Sequence, residues 1–133
     1  MELQDKIAVI TGGGRGIGRV IALAFAKEGA DLVLASRSME ALEETRTIVD
    51  GLGRKVLVVP TDIRNEDSVR QLAEQTLGSF GRIDILVNNS GITGPTTPLW
   101  NISLEDWEET FAVNVTGAYL CCRAFLPEMI KQR

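Results

Sequence analysis

The stretch Ile7-Ala8-Val9-Ile10-Thr11-Gly12-Gly13-Gly14-Arg15-Gly16-Ile17-Gly18 decides how the chain is read, because an apolar run passes through a glycine-rich turn into a helical pattern. The run is short and β-branched, as a buried strand requires. From Ile17 the apolar positions Val20, Ile21, Ala24 and Phe25 recur at i, i+3, i+4, i+7 and i+8, which predicts a helix with those residues on its core face, closed at Gly29. The turn satisfies G-x-G-x-x-G in no frame, since position 17 is Ile and position 19 is Arg; its spacing is Gly12-x-x-x-Gly16-x-Gly18. The same physical needs are met. Glycines let the backbone turn sharply and come close to a pyrophosphate, and the first amides and dipole of the helix favour the anion. The plainer alternative is a turn that only changes direction.

Working outward, further strand-like runs lie at 32–35, 56–59 and 83–87, each followed by a longer amphipathic stretch. Leu42, Thr45, Ile48, Val49 and Leu52 form one stripe, and Val69, Leu72, Ala73, Thr76, Leu77 and Phe80 another, with Asn65 as N-cap and Gly81 as stop. Ser103, with Asp106 three residues on, opens a fourth helix. Continuous apolar strands separated by helices belong in a parallel sheet covered on both faces by right-handed crossovers. The expected fold is therefore α/β, a Rossmann-like doubly wound sheet of order 3-2-1-4, with a ligand crevice at the carboxyl ends of strands one and four.

The 133 residues read as one domain, 1–133, large enough for a real core. With 14 Lys and Arg against 18 Asp and Glu the net charge is −4, so no basic field exists to hold nucleic acid. Hydrophobic residues make up 44% of the chain, yet no apolar run approaches the ~20 residues of a membrane span, which predicts no membrane partner. The chain has no His, which removes Ser-His hydrolysis and His-ligated metals, and the adjacent Cys121 and Cys122 have no companions for a metal or a disulfide framework. No metal is expected. Reduced cysteines, and an N-terminus without a basic region and apolar stretch, place the chain in the cytoplasm.

Ribose recognition is decided at the end of the second strand, about 20–25 residues after the glycines. The chain there reads Ala35-Ser36-Arg37-Ser38; Asp31 lies at the wrong end of the strand and Glu40 inside the next helix. Arg37, with the Ser36 hydroxyl and Arg15 from the turn, would pair with a 2′-phosphate, so NADP is expected over NAD. The alternative is that both arginines are solvated surface charges.

Four motifs now stand in order: Thr11-Gly12-x-x-x-Gly16-x-Gly18, Asp62-Ile63, Asn88-Asn89-Ser90-Gly91, and Asn114 within Val113-Asn114-Val115-Thr116-Gly117. Together they resemble the short-chain dehydrogenase/reductase family over essentially the whole chain. The resemblance implies hydride transfer between a nicotinamide and an alcohol or carbonyl. To the cofactor residues read above, Gly12, Gly14, Arg15, Gly16, Ile17 and Gly18 with Ser36 and Arg37, it adds Asp62 and Ile63 beside the adenine, and Asn89, Ser90 and Gly91 supporting the sheet and the ribose. Ser90 stands where the family has Ala. Asn114 would be catalytic, bending its helix and holding a water in a proton relay. Each residue also has a structural reading: Asp62 as a helix cap, Asn88 and Asn89 as turn residues, Asn114 as an exposed amide.

The family's Tyr, Lys and Ser are expected on and after a fifth strand, and the chain stops at Arg133 as that strand approaches. Tyr119, the only tyrosine, lies on the wrong segment and reads as a packing residue. The expectation is a cofactor half, truncated before the fifth strand, that binds NADP without turnover. The alternative is a free-standing nucleotide-binding or oligomeric assembly module. An edge at strand four and a surface of Leu104, Trp107, Phe111, Val115 and Phe125 short of cover predict self-association, first as a homodimer through the helix carrying Trp107, Ala118 and Leu126.

Overall fold

A computed structural model describes residues 1–133. Its strands are β1 (Ile7–Thr11), β2 (Asp31–Ser36), β3 (Val56–Pro60) and β4 (Ile85–Val87), all parallel in the order β3-β2-β1-β4. The helices are α1 (Gly16–Lys27), α2 (Met39–Asp50), α3 (Glu66–Phe80), α4 (Leu104–Phe111) and α5 (Gly117–Gln132), with a π-helical turn, Ala112–Thr116, joining the last two. No helix is long and apolar enough to cross a membrane.

Successive strand residues point to opposite faces, and the core divides accordingly. Ala8, Ile10, Leu32, Leu34 and Val58 pack with Ala22 and Ala26 of α1 and Leu42 and Val49 of α2. On the other face Val9, Val33 and Val59 meet Val69 and Leu72 of α3 and Leu120 and Phe125 of α5. Both faces being covered, the strands carry unbroken apolar runs instead of alternating ones. The expected caps are present: the Ser38, Asn65 and Ser103 hydroxyl or amide oxygens accept from the amides of Ala41, Ser68 and Asp106, and Gly81 ends α3 at φ +72°.

Four expectations are corrected. The core face of α1 is Gly18, Ala22 and Ala26, while Ile17 and Val20 are exposed by 73% and 66%. Small residues win that face because α1 lies close to the sheet: a Cβ at Gly18 would sit 2.1 Å from the Gly12 carbonyl oxygen. Periodicity found the helix but chose the bulkier stripe. Phe125 is fully buried, not part of an exposed surface, and Tyr119 is exposed, its hydroxyl accepting from Arg123 at 3.2 Å. The last strand begins at Ile85 instead of Ile83, because Asp84 turns its carboxylate to the Ile7 amide at 2.9 Å. Just before β4 the Gln132 side chain pairs with the backbone as a strand would, accepting the Ile83 amide at 3.0 Å and donating to its carbonyl at 2.8 Å.

Candidate functional site

The carboxyl ends of β1, β2, β3 and β4 open onto a cavity of about 380 Å³. Its walls include Gly12, Arg15, Ile17, Ser36, Arg37, Asp62, Ile63, Asn89, Ser90 and Gly91, all of them expected from the sequence, together with Thr61, Arg64, Ile92 and Val113. This is the switch point of an open α/β sheet, where β2 and β4 flank β1 and their crossovers diverge.

Three of the expected glycines lie off the wall and serve geometry. Gly14 passes so close to α2 that a Cβ would stand 2.9 Å from that of Ala41, and Gly18 gives α1 its approach to Gly12. Gly16 has φ +57° with nothing within 4 Å of an added Cβ, so space is left beside the backbone where α1 begins. Gly12, at φ +67°, faces Asn89 and Ser90 across the cleft.

The ends of β1 and β4 are joined by one buried hydroxyl. Thr11 Oγ1 accepts from the Asn89 amide at 3.0 Å and the Ser90 amide at 3.1 Å, and donates to the Val87 carbonyl at 3.4 Å. A hydroxyl has one proton and two lone pairs, and all are used. Asn89 Nδ2 closes the link by donating to the Gly12 carbonyl at 3.3 Å. Thus residues 89–91 are held against the glycine turn by side chains from both strands.

Asp62 does not cap α3; Asn65 does. Its Oδ1 accepts the Arg64 amide and Nε, both at 3.0 Å, and its Oδ2 accepts Nη2 at 2.9 Å. The Arg64 guanidinium holds the Asp62 carboxyl below the usual carboxylate range, with Arg37 adding its charge. Arg64 also reaches Glu109 of α4 at 2.7 Å, so the cavity wall after β3 is pinned across to α4. Sequence reading missed Arg64; its place two residues after a carboxylate at a strand end is the signal that was available.

Asn114 does not line the cavity. It lies in the π-helical turn, with Oδ1 accepting the Ile92 amide at 2.8 Å and Nδ2 donating to the Ile92 carbonyl at 2.7 Å. The widened turn is the helix irregularity expected there, and the amide acts on the cavity through Ile92, which does line it. Cys121 lies on the buried face of α5, and burial pushes its thiol up to about 11, which makes it inert.

The arrangement offers backbone amides at the start of α1 and the guanidinium groups of Arg15 and Arg37 around one cleft, a chemistry suited to phosphates, while Arg64 is spent on Asp62 and Glu109. The sequence profile described as short chain dehydrogenase matches residues 6–133. An uncharacterized oxidoreductase from Mycobacterium tuberculosis is 44% identical over 130 residues, covering 98% of this chain and 49% of that protein. Among solved structures, a short chain dehydrogenase/reductase from Burkholderia phymatum in complex with NAD is 40% identical, with a TM-score of 0.94 over 99% of this chain and 47% of the other. A metagenomic short-chain oxidoreductase in complex with NADP is 34% identical, with a TM-score of 0.95 over 99% and 60%. The chain spans about half the length of the curated relatives it matches.

Proposed function

The chain belongs to the short-chain dehydrogenase family, and on that premise we propose that residues 1–133 form the dinucleotide-holding part of an oxidoreductase that prefers NADP. The observation that carries this reading is the juxtaposition, on one cleft, of Arg15 at the glycine turn with Ser36 and Arg37 at the end of β2, where the strand end itself carries no carboxylate. A 2′-phosphate would be met there by two guanidinium groups and a hydroxyl. The residues fit the group in a second respect: the space beside Gly16 is open, and the Arg15 amide makes no hydrogen bond within the protein.

When bound, the cofactor supplies a hydride acceptor or donor for an alcohol or carbonyl. The chain's own residues bind and orient it. The start of α1 would meet the pyrophosphate, Asp62 and Ile63 would border the adenine, and residues 89–91 would stand by the ribose. Asn114 fixes the Ile92 segment at the far end. Holding the cofactor is the role given to these residues, and none of them is assigned the acid–base step.

Self-association belongs to the same reading. Leu104, Trp107, Phe111 and Val115 follow one another at helical spacing, each exposed by 46% or more, with the Trp107 and Phe111 rings stacked 4.8 Å apart. Such a stripe fits a homodimer. The free thiols Cys121 and Cys122 suit a reducing, cytoplasmic setting.

The reading is tested by titrating Arg37→Asp with both cofactors. The variant loses NADP affinity by about tenfold or more, the scale of one charge-assisted contact, and gains on NAD. Unchanged affinity for both removes Arg37 from the site.

A further inference from the structure

The glycine turn is braced by two residues outside the motif. The Gly14 carbonyl accepts from Arg19 Nε at 3.2 Å, from Arg19 Nη2 at 2.6 Å, and from Thr45 Oγ1 at 3.0 Å. Arg19 Nε also donates to Thr45 Oγ1 at 2.9 Å, and its Nη2 meets Glu44 at 3.0 Å. Thr45 is fully buried, at a position whose spacing belongs to the apolar stripe of α2. A hydroxyl there is costly unless satisfied, and it is satisfied by the turn and by Arg19.

The consequence follows from peptide geometry. A trans peptide is planar with its C=O and N–H antiparallel, and no peptide in this chain is cis. Drawing the Gly14 carbonyl towards α2 therefore turns the Arg15 amide away from α2. Arg15 lines the cavity, and its amide has no protein acceptor. Without the brace the Gly14–Arg15 peptide would be free to rotate and present a carbonyl oxygen to an anion instead of a donor.

We propose that Arg19 and Thr45 are positioning residues, which clamp the Gly14 carbonyl so that the Arg15 amide is presented to a pyrophosphate. This rests on the cofactor reading above and adds to it two residues that touch no ligand themselves. Arg19 acts through its fork, not through its charge, since the guanidinium is spent on Gly14, Thr45 and Glu44.

The test measures ADP-ribose, which carries the pyrophosphate, against adenosine, which carries no phosphate. Calorimetric and NMR titrations are run on the 133-residue chain, at a temperature where circular dichroism shows each variant folded. Thr45→Val should weaken ADP-ribose about five- to tenfold, the loss of one hydrogen bond's worth of preorganisation, with adenosine unchanged. Thr45→Ser, which restores the hydroxyl, should return within about twofold of the parent. Arg19→Lys keeps the charge but loses the fork, and should weaken ADP-ribose by a similar factor; it decides the matter alone if Thr45→Val does not fold. A Thr45→Val protein that is less stable yet binds ADP-ribose as tightly as the parent overturns the inference, as does Arg19→Lys with unchanged affinity. A parent chain that binds no ADP-ribose overturns the cofactor reading, and this inference with it.

Discussion

Replacing Thr11 with valine removes one hydroxyl and keeps the side-chain shape. Thr11 is 1% exposed, and its oxygen serves the Asn89 and Ser90 amides at 3.0 and 3.1 Å, so two donors lose their acceptor at once. Each such bond contributes about 1 kcal/mol net, and the weaker contact to Val87 at 3.4 Å adds little. Both amides belong to half-buried residues, which water reaches in part, so the penalty stays near the net value. The expected cost is about 2 kcal/mol. Urea denaturation followed by circular dichroism measures it: the midpoint falls while the slope stays constant, because the surface exposed on unfolding is unchanged. Since residues 89–91 line the cavity, dinucleotide affinity should fall with it. A Thr11→Val protein within about 0.5 kcal/mol of the parent would refute the view that this hydroxyl ties β1 to β4.

Gly18→Ala should cost about 3 kcal/mol or more in the same assay, because the new Cβ meets the Gly12 carbonyl at 2.1 Å and the backbone must move; a neutral substitution would mean that α1 does not lie so close. Asp84 is a pH prediction: burial pushes its carboxyl up, but the Arg82 guanidinium and the Ile7 amide outweigh this and hold it below the ordinary 3.8. A depressed folded value contributes stability that is complete above the unfolded value and is lost as the pH falls below 3.8 through the folded one; Asp62, lowered by Arg64, adds in the same window. Denaturation midpoints from pH 6 down to about 2 should therefore fall less steeply for Asp84→Asn than for the parent, and parallel curves would contradict the assignment. Trp107→Glu places a charge in the exposed stripe of α4 and should convert a sedimenting dimer to monomer, whereas a parent chain that is already monomeric counts against the homodimer.

The fold was legible because its signals were local. β-branched runs followed by helical stripes specify a parallel sheet, and the capping residues Asn65 and Ser103 mark helix starts by their own hydrogen bonds. The α1 face was misread because a stripe of glycine and alanine is weakly hydrophobic residue by residue. Its value comes from the close approach it permits, a property of two elements and not of one. The site was legible where a backbone demand leaves a residue signature, as at Gly12 and Gly16 with positive φ, or where charge stands at a strand end, as at Arg37. Residues that act through another part of the chain left no such trace. Thr45 reads as one more position in a stripe and Arg19 as a helix surface charge; only the folded chain brings them to the turn.

The central claim is that this chain is a formed cofactor site with a preference for the 2′-phosphate. It is tested most directly by calorimetric titration of the 133-residue chain with NADP and with NAD, at a known oligomeric state. Saturable binding of both, tighter for NADP by about tenfold or more, is the result the account predicts. Equal or tighter binding of NAD would contradict the role given to Arg15 and Arg37, and no binding of either would contradict the site itself.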